Sequence, residues 1–479
     1  MKERMRFAPS PTGFMHIGNL RTAIFGYLYC KHNKGDFIVR IEDTDVARKV
    51  EKAVDLIFKT LDLCSMTVDE SFKQPGVVGP YIQSERLDIY RKYAIDLVAK
   101  KEAYYCFCSE AELEEQREAS RNNSSAFIYD GRCFKLSEEE IKMRLARGDK
   151  YVIRQKIKKD GISVYEDLVY GKIEVENRVL EDQILLKSDG YPTYNFANVI
   201  DDHLMGITTV VRGNEYLMST AKYNLLYDAF GFPRPKYIHL PLVLGEDGQK
   251  LSKRNGDASF MDLYNEGYLS EAIVNYLALL GWSSADNKEI FTMDELIDVF
   301  DVKRISKAPA TYDVKKLQWV NAHYIKKLQI NELRDLTIKH LSNAYDISNI
   351  DEIWLDRLIK LYQLELKYGK EIVKLSSLFF EKNVVYNDEC LKFLQDNEVK
   401  KVLSVYYNYI IDMSDFSIES INKMINDIKI NNGIKGKMLY MPIRVVASGL
   451  MHGPELVETL YLLGKDKVID RLKDYLKEV

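Results

Sequence analysis

Apolar residues follow two different spacings along the chain, and the spacing changes near residue 260. Before that point, short apolar or β-branched runs alternate with stretches that place an apolar residue every three or four positions. The short runs predict strands, and the longer stretches predict amphipathic helices. Beyond residue 330 strand patterns are scarce. The sequence therefore predicts an α/β amino-terminal half and an all-α carboxy-terminal half.

The amino-terminal pattern predicts a parallel sheet. Apolar runs at residues 5–8 and 37–41 flank a helical stretch at 17–31, and strands joined through a helix lie parallel. Residues 86–205 interrupt this pattern, as an insertion would, and contain their own strand-like run at 151–157. The other elements predicted in this half are a helix at 47–61, strands at 207–212 and 237–240, and a helix at 219–229.

The second half and the composition are typical of a globular protein with several domains. A length of 479 residues suggests about three domains. The formal net charge of −4 gives no overall basic signal, so nucleic acid would have to meet local basic surfaces. Since the chain starts without an apolar leader and has no apolar run of about 18–20 residues, we expect a cytoplasmic protein without a membrane partner. The helices predicted in this half cover residues 269–280, 293–300, 354–376, 391–411 and 455–476.

Two short segments contain the candidate chemistry. The first, FAPSPTGFMHIGN at residues 7–19, runs from a predicted strand through a loop into a helix. The second, KLSKR at residues 250–254, adjoins a GEDG loop. A loop that enters a helix presents backbone N–H groups to phosphate, and a lysine pair on a second loop can close over departing phosphates. The residues predicted to serve the reaction are His16, Gly18, Asn19, Lys250 and Lys253.

Each member of this set has a chemical reason. His16 and Asn19 can donate hydrogen bonds to phosphate or ribose. Gly18 has no Cβ, so adenine or ribose can lie against the backbone. Taken singly, His16 is equally well a loop histidine, and KLSKR is equally well a solvated run of charge. The two segments in this order, each in its expected setting, favour a nucleotide site.

Together the two segments resemble the paired HIGH and KMSKS signatures of class I aminoacyl-tRNA synthetases. Asn19 stands where the first signature has a second histidine, and Arg254 stands where the second has a serine. The resemblance implies that an amino-acid carboxylate attacks the α-phosphate of ATP and that Mg²⁺ accompanies the nucleotide. The residues that it implies for ATP binding are Pro9, Thr12, His16, Gly18, Glu215, Tyr216, Ser252 and Lys253.

Further segments narrow the resemblance to one branch of this class. RFAPSPTG at 6–13, RIEDTD at 40–45, DGYPTYNFANVIDDH at 189–203 and VRGNEY at 211–216 are similar to the bacterial glutamyl-tRNA synthetase family, and the similarity extends to GKMLYMPIR at 436–444. The family implies an α/β Rossmann-type class I synthetase catalytic core with an α+β acceptor-stem insertion, followed by an all-α anticodon-binding half. The implied domains are a split catalytic domain at 1–85 and 206–245, an insertion at 86–205, a stem-contact domain with the KMSKS-like loop at 246–330, and anticodon-binding subdomains at 331–375 and 376–479.

The side chains in these segments suit L-glutamate. A glutamate site must supply cations for two carboxylates, and Arg6 and Arg212 can provide them. It must also supply acceptors for one ammonium, which Glu42 and Ser10 can provide. Taken alone, the acids of RIEDTD could instead bind a metal or cap the next helix. A guanidinium facing the side-chain carboxylate would disfavour glutamine, whose amide presents N–H groups to a donor. The predicted glutamate-binding residues are Arg6, Ala8, Ser10, Glu42, Tyr194, Asn198 and Arg212.

Three of the six cysteines form a candidate zinc site. Cys106 and Cys108 are two positions apart, and Cys133 follows after 24 intervening residues. Thiolates with this spacing suit tetrahedral Zn²⁺ in a structural role. The alternative is a group of small buried thiols that bind no metal. The other cysteines are predicted to fill the core, and these are Cys30, Cys64 and Cys390.

The fourth zinc ligand departs from the family pattern. Some bacterial members place a histidine two residues after the third cysteine, but this chain has Lys135 there, and a protonated lysine cannot bind a metal. A related enzyme that glutamylates queuosine uses a Tyr-x-x-x-Cys pair. This resemblance implies Tyr129 as the fourth ligand, with Asp130 or water as alternatives.

Two local basic regions are candidates for RNA contact. The first contains Lys303, Arg304, Lys307, Lys315, Lys316, Lys326 and Lys327, interleaved with Tyr312, Trp319 and Tyr324. The second contains Lys423, Lys429, Lys435, Lys437 and Arg444. For a single lysine, a solvated helix face is the better interpretation. The resemblance implies that the helical half reads the anticodon, with the helix at 355–375 contributing to the pocket for its first position.

The resemblance also implies the partners. They are tRNA(Glu) and L-glutamate, and the sequence leaves open whether tRNA(Gln) is charged as well. We expect a monomer. Three other functions compete: a small-molecule nucleotidylyltransferase, the queuosine-modifying relative, and a catalytically idle RNA-binding paralogue. The long helical half argues against the first two, and intact His16, Lys250, Lys253 and Arg212 argue against the third.

Overall fold

The computed structural model describes residues 2–13, 15–45, 50, 52–122, 127–249, 251 and 259–477. The chain divides into two compact units. The first comprises Met1–Leu263 and Ser270–Val314, and the second comprises Tyr264–Leu269 and Lys315–Val479.

Strands lie almost wholly in the first unit. They are β1 (Arg4–Phe7), β2 (Asp36–Val39), β3 (Ala103–Cys106), β4 (Val152–Gln155), β5 (Ile162–Asp167), β6 (Gly171–Glu176), β7 (Ile184–Leu186), β8 (Thr209–Gly213), β9 (Lys236–Leu240), β10 (Val243–Leu244) and β11 (Ala310–Thr311). The largest sheet has the order β2-β1-β8-β9-β5-β6. Its strands pair in parallel except for the antiparallel β5–β6 hairpin. The predicted parallel sheet is therefore present.

The insertion contributes to this sheet. Its strands β3, β4 and β7 form a separate three-stranded antiparallel sheet. Its hairpin β5–β6 instead joins the large sheet, where Asp167 at the end of β5 pairs with Tyr237 of β9. The polypeptide between residues 86 and 205 thus supplies one edge of the sheet as well as a subdomain of its own.

The first unit also contains ten α-helices in its described residues. They are α1 (Ile17–His32), α2 (Ala53–Leu63), α3 (Leu87–Ala99), α4 (Glu110–Asn122), α5 (Glu138–Arg147), α6 (Tyr194–Leu204), α7 (Leu217–Phe230), α8 (Phe260–Asn265, which runs into the second unit), α9 (Ser270–Leu279) and α10 (Met293–Val299). Of these, α1 and α7 pack on the large sheet. Helix α1 is buried on most of its surface, because it packs on β1 and β8 and against α9 and α10. For the helix predicted at 47–61, residues 47–49 and 51 lie outside the described residues. The described helix starts at Ala53, after Lys52, which adopts a left-handed backbone with φ 65°.

The second unit is helical. Its helices are α11 (Val314–Ile325), α12 (Ile330–Ala344), α13 (Glu352–Tyr362), α14 (Glu371–Leu375), α15 (Ser377–Phe380), α16 (Asp388–Leu394), α17 (Asn397–Ile411), α18 (Ile418–Asn431), α19 (Lys437–Ser448), α20 (Leu456–Leu463) and α21 (Lys465–Lys477). Buried side chains of α12–α21 share one hydrophobic core. The expected all-α half is confirmed.

Three long helices predicted in this unit were wrong, because each is broken in two. The segment 354–376 contains a break where Gly369 approaches Gly267 so closely that a Cβ on Gly267 would lie 2.6 Å from the Gly369 nitrogen. The segment 391–411 breaks at Asp396, whose side chain caps α17 by accepting from the Glu398 N–H. The segment 455–476 breaks at Gly464, between α20 and α21. Continuous apolar spacing concealed all three breaks.

Within the described residues, every helix is too short or too polar to cross a bilayer.

Burial in the helical unit predicts which leucines carry its stability. Leu403 in α17 is completely buried, whereas Leu364 after α13 is 72% exposed. We expect Leu403→Ala to lower the free energy of unfolding by about 2–5 kcal/mol, because it removes buried apolar surface and leaves a cavity. Leu364→Ala is the matched control and should change it little. Urea unfolding of both variants measures the difference, and equal midpoints would contradict the assigned core.

Candidate active site

The carboxyl ends of the parallel strands open into one cavity of about 750 Å³. β1 pairs with β2 on one side and with β8 on the other, so the chain reverses its direction of winding at β1. Open α/β sheets bind ligands at such a switch point. The cavity is lined by most of the predicted site residues, namely Arg6, Ala8, Pro9, Ser10, Thr12, His16, Gly18, Asn19, Glu42, Tyr194, Arg212, Glu215 and Tyr216.

The amino terminus of α1 forms one wall. His16 is the N-cap, and its Nδ1 accepts a hydrogen bond from the Gly18 N–H at 3.1 Å. Its carbonyl accepts from the N–H groups of Asn19 and Leu20, each at 3.0 Å. A Cβ on Gly18 would lie 3.2 Å from the His16 Nδ1, so glycine allows the imidazole to fold back over the helix start. A helix start on a cavity favours anionic ligands.

A second wall is built on a buried network of charges. Arg40 is fully buried, and it donates to Glu42 Oε1 at 2.9 Å and to Asp202 Oδ1 at 2.7 Å. The same Asp202 oxygen accepts from Arg6 Nε at 3.0 Å. Burial raises the pKa of Glu42, although Arg40 and Arg6 act against it. For Asp202, burial opposes ionisation, but Arg6 and Arg40 outweigh it and lower the pKa. The network thereby orients Arg6 and Glu42, two residues that line the cavity.

The neighbouring Asp201 also forms an ion pair with Arg40, with Oδ2 3.6 Å from the Arg40 Nε, but its hydrogen bonds come from a different set of groups. It accepts from Arg86 Nε at 2.7 Å, from Gln83 Nε2 at 2.9 Å and from the Tyr90 hydroxyl at 2.8 Å. All of these side chains are buried. Adjacent carboxylates on α6 therefore connect this helix to two separate parts of the unit.

Arg212 provides the second cation of the cavity. Its Nε donates to His239 Nε2 at 3.2 Å, and its Nη2 donates to Thr220 Oγ1 at 2.7 Å. The guanidinium carbon lies 4.6 Å from the centre of the Tyr223 ring and 5.3 Å from that of Tyr216. Within the described part of the chain, no carboxylate forms an ion pair with Arg212. This buried cation is therefore available to an anionic ligand.

Some predicted residues lie elsewhere. Asn198 is buried away from the cavity wall, and its Nδ2 donates to the Tyr194 carbonyl at 2.8 Å. Asp43 accepts from the N–H and the hydroxyl of Ser84 at 2.9 and 2.8 Å. The residues of the second motif, Lys250, Ser252, Lys253 and Arg254, lie outside the described residues. Leu251, between them in the chain, lines the cavity.

Arg21 lines the cavity but had no role in the sequence prediction. Its Nε donates to the Leu280 carbonyl at 2.6 Å, and its Nη1 donates to the Pro241 carbonyl at 2.8 Å. Burial lowers the pKa of Arg21 to about 10. The position of Arg21 three residues after Gly18 places both on one face of α1, which is the signal that could have found it.

The cysteine cluster forms a second candidate site. The sulfur atoms of Cys106, Cys108 and Cys133 all lie within 4.8 Å of one another. The Tyr129 hydroxyl lies 3.4 Å from Cys106 Sγ and 3.3 Å from Cys108 Sγ. The guanidinium carbon of Arg154 is 4.1 Å from the centre of the Tyr129 ring. Three cysteine sulfur atoms and one phenol oxygen thus meet at one point.

The parallel sheet, the switch-point cavity and the histidine-capped helix define the catalytic core of a class I synthetase. Consistently, a family model described as "tRNA synthetases class I (E and Q), catalytic domain" matches residues 2–319, and one described as "Anticodon binding domain" matches residues 330–476. The chain therefore belongs to the E and Q family of class I tRNA synthetases.

Named relatives cover the whole chain. A glutamate–tRNA ligase of Clostridium novyi is 45% identical over 98% of this chain and 96% of its own length. One of Geobacillus stearothermophilus is 45% identical over 99% of both chains. The crystal structure of a glutamate tRNA ligase from Elizabethkingia meningosepticum, in complex with its amino acid, is 35% identical with a TM-score of 0.89, covering 100% of this chain and 99% of that one. The expected fold class is confirmed.

The buried network yields a stability prediction. Arg40→Met would leave Glu42 and Asp202 without their shared cation, so we expect the free energy of unfolding to fall by about 3–5 kcal/mol. Arg91→Met, at an exposed position of α3, is the control and should change it little. Chemical denaturation of both variants measures the effect. A loss confined to Arg91→Met, or no loss in either, would argue against the network.

Proposed function

We propose that this protein attaches L-glutamate to the 3′ end of tRNA(Glu) in translation, through a glutamyl-adenylate formed from ATP. The observation that carries the proposal is the buried guanidinium of Arg212, without a carboxylate partner in the described residues, in the same cavity as the amino terminus of α1. Anionic groups of a substrate can meet both. Relatives named glutamate–tRNA ligase, about 45% identical over nearly the full length, support the same reaction.

The glutamate pocket follows from the two arginines. Arg6 is aimed by Asp202, and Arg212 is held by His239 and Thr220. A carboxylate that contacts Arg212 gains a charge-assisted hydrogen bond from a nearly fully buried guanidinium. Glutamine would bring an amide N–H toward the same donors, so it would bind less well. Glu42 and Ser10, also on the cavity wall, would accept hydrogen bonds from the substrate ammonium.

Adenylation requires positioning and positive potential. The amino terminus of α1 and the imidazole of His16 would face the phosphates, while Pro9, Thr12, Gly18, Glu215 and Tyr216 would line the nucleotide. Mg²⁺ would neutralise phosphate charge. From the sequence, we further propose that the loop of Lys250, Ser252 and Lys253 supplies charge to the leaving pyrophosphate. Leu251 on the cavity wall supports this placement.

The tRNA would contact several parts of the chain. We propose the insertion at 86–205 for the acceptor stem, residues 246–330 for stem contact, and subdomains at 331–375 and 376–479 for the anticodon. Trp319 is 48% exposed with Lys316 4.3 Å from its ring centre, which suits stacking on RNA. Tyr312 is buried, so it is not available for stacking. We further propose that the chain acts as a monomer. The use of tRNA(Gln) as a second substrate remains open.

Arg212 gives the direct test of this function. We expect labelled glutamate to be transferred to purified tRNA(Glu) only with ATP, and Arg212→Ala to lower kcat/KM for glutamate on the order of 10²-fold or more, because a buried charge contact is lost. Arg234→Ala removes an arginine that pairs with Asp228 at an exposed site and should retain activity. Parallel assays with tRNA(Gln) define the range of tRNAs. If the unmodified protein charges neither tRNA, the proposed function is wrong.

We also propose that Cys106, Cys108, Cys133 and Tyr129 bind a structural zinc ion. Zinc–sulfur bonds of about 2.3 Å at tetrahedral angles place ligand atoms about 3.7 Å apart, close to the contacts at Tyr129 of 3.3 and 3.4 Å. The Asp130 carboxylate is engaged elsewhere, since its Oδ2 accepts a hydrogen bond from Arg132 Nε at 2.9 Å. Burial raises the pKa of Tyr129, so zinc binding would displace a phenol proton.

Metal analysis tests this site. Protein purified without added zinc should contain about one equivalent, and Cys108→Ser should contain much less. Tyr129→Phe should lose zinc to a chelator sooner than the unmodified protein, while Cys64→Ser, a buried cysteine outside the cluster, should retain it. If Tyr129→Phe binds zinc as tightly as the unmodified protein, the fourth ligand is another group. No zinc even after reconstitution would exclude the site.

A further inference from the structure

Three buried polar side chains form a line across adjacent strands of the large sheet. Arg212 of β8 lies directly opposite His239 of β9, and Asp167 ends β5, the next strand. His239 Nδ1 lies 2.7 Å from Asp167 Oδ2, and His239 Nε2 lies 3.2 Å from Arg212 Nε. His239 is fully buried, and the other two are nearly so. The line ends at the cavity, which Arg212 lines.

The donors along this line determine which ring nitrogen of His239 carries the proton. A guanidinium has only donors, so the Arg212 Nε–H must meet a lone pair on His239 Nε2. The ring proton therefore lies on Nδ1, where it donates to Asp167 Oδ2. Burial lowers the pKa of His239, in agreement with a neutral ring. One tautomer of His239 satisfies both Asp167 and Arg212. Thr220 Oγ1 also lies 3.1 Å from His239 Nε2, but the Arg212 Nε–H can be accepted only by an unprotonated Nε2.

Asp167 is itself firmly oriented. Its Oδ1 accepts from the N–H groups of Val169 and Tyr170 at 2.9 and 2.8 Å, and its Oδ2 also accepts from the backbone N–H of His239 at 3.1 Å. The carboxylate thus has no freedom to turn away from the imidazole. An acid at the end of β5 can therefore fix the tautomer of His239 on β9, and through it act on Arg212 one strand further, on β8.

The other contacts of Arg212 complete its orientation. Nη2 donates to Thr220 Oγ1 at 2.7 Å, and the Thr220 hydroxyl donates to the Tyr216 carbonyl at 2.8 Å. Because the guanidinium is planar, fixing Nε and Nη2 fixes the direction of Nη1. Among the described residues, none accepts a hydrogen bond from Nη1. A ligand carboxylate that reaches Arg212 would therefore meet a donor that is already aimed.

We propose that His239 and Asp167 are positioning residues for Arg212, holding its guanidinium through one imidazole tautomer in the orientation that receives a carboxylate of glutamate. The inference rests on the proposed function, because it takes glutamate as the ligand. It adds a specific role for two residues that do not touch the substrate. Positioning groups behind a binding side chain typically change affinity by about 10–100-fold.

Two variants test the role by kinetics. In Asp167→Asn the amide can donate to His239 Nδ1, which favours the tautomer with its proton on Nε2. The His239 Nε2–H would then face the Arg212 Nε–H, and neither could accept a hydrogen bond from the other. His239→Gln removes the imidazole. We expect each to raise the KM for glutamate about 10-fold or more, with the KM for ATP and kcat at saturating glutamate changed less than about twofold. Asp182→Asn, a buried carboxylate that bonds Tyr104 and Lys159 instead, is the matched control and should leave all three constants unchanged.

Nitrogen NMR tests the tautomer directly. The chain has seven histidines, so selective ¹⁵N-histidine labelling gives few signals, and His239→Gln identifies the one from His239. We expect a neutral ring protonated on Nδ1, and a shift of the proton toward Nε2 in Asp167→Asn.

The results distinguish a failure of the proposed function from a failure of the positioning role. If the unmodified protein transfers no glutamate to tRNA, the proposed function fails, and the spectra still decide the tautomer. If transfer occurs but the glutamate KM is unchanged in both variants, positioning is wrong. It is also wrong if the ATP KM rises as much as the glutamate KM while the unfolding midpoint falls. A His239 ring protonated on Nε2 in the unmodified protein would also overturn it.

Discussion

The need to neutralise or satisfy buried guanidinium groups organises the amino-terminal unit. Arginine remains charged inside a protein, so each buried guanidinium requires partners that the fold must bring to it. Arg6 and Arg40 share Asp202, and Arg86 takes Asp201. These contacts connect α6 to the first two strands of the sheet and to the segment after residue 80. The walls of the cavity are consequently held in place before any ligand arrives.

Arg212, like Arg21 on the same cavity wall, has no carboxylate partner among the described residues. Its partners in the described residues are an imidazole nitrogen and a hydroxyl rather than a carboxylate. Those contacts satisfy hydrogen bonds but leave the positive charge without a counter-charge. Because Arg212 is nearly fully buried, its charge is poorly screened and attracts an anion strongly. Arg6 is already paired with a carboxylate, whereas Arg212 is not. The sequence alone could not show this difference.

The success of the sequence prediction depended on how far apart the interacting residues lie in the chain. The start of α1 at His16 and the strands around it follow from local spacing, and the structure brings most of the predicted site residues to one cavity. Asn198 was expected beside Tyr194 on one helix face, but its amide instead donates to the Tyr194 carbonyl, a local bond that Asn often prefers. The roles of Arg40 and His239 could not be found, because Asp202 and Asp167, the carboxylates that they meet, lie more than 70 residues away in the chain.

The hairpin that the insertion adds to the large sheet limits how this catalytic unit can be shortened. β9 is flanked by β8 and by β5, and only β5 separates it from the edge formed by β6. A minimal catalytic unit without residues 86–205 would leave β9 with open backbone N–H and C=O groups, a surface on which chains aggregate. Any evolutionary or engineered reduction of the insertion must therefore retain Ile162–Glu176, or replace it with another edge, even if every RNA contact is dispensable.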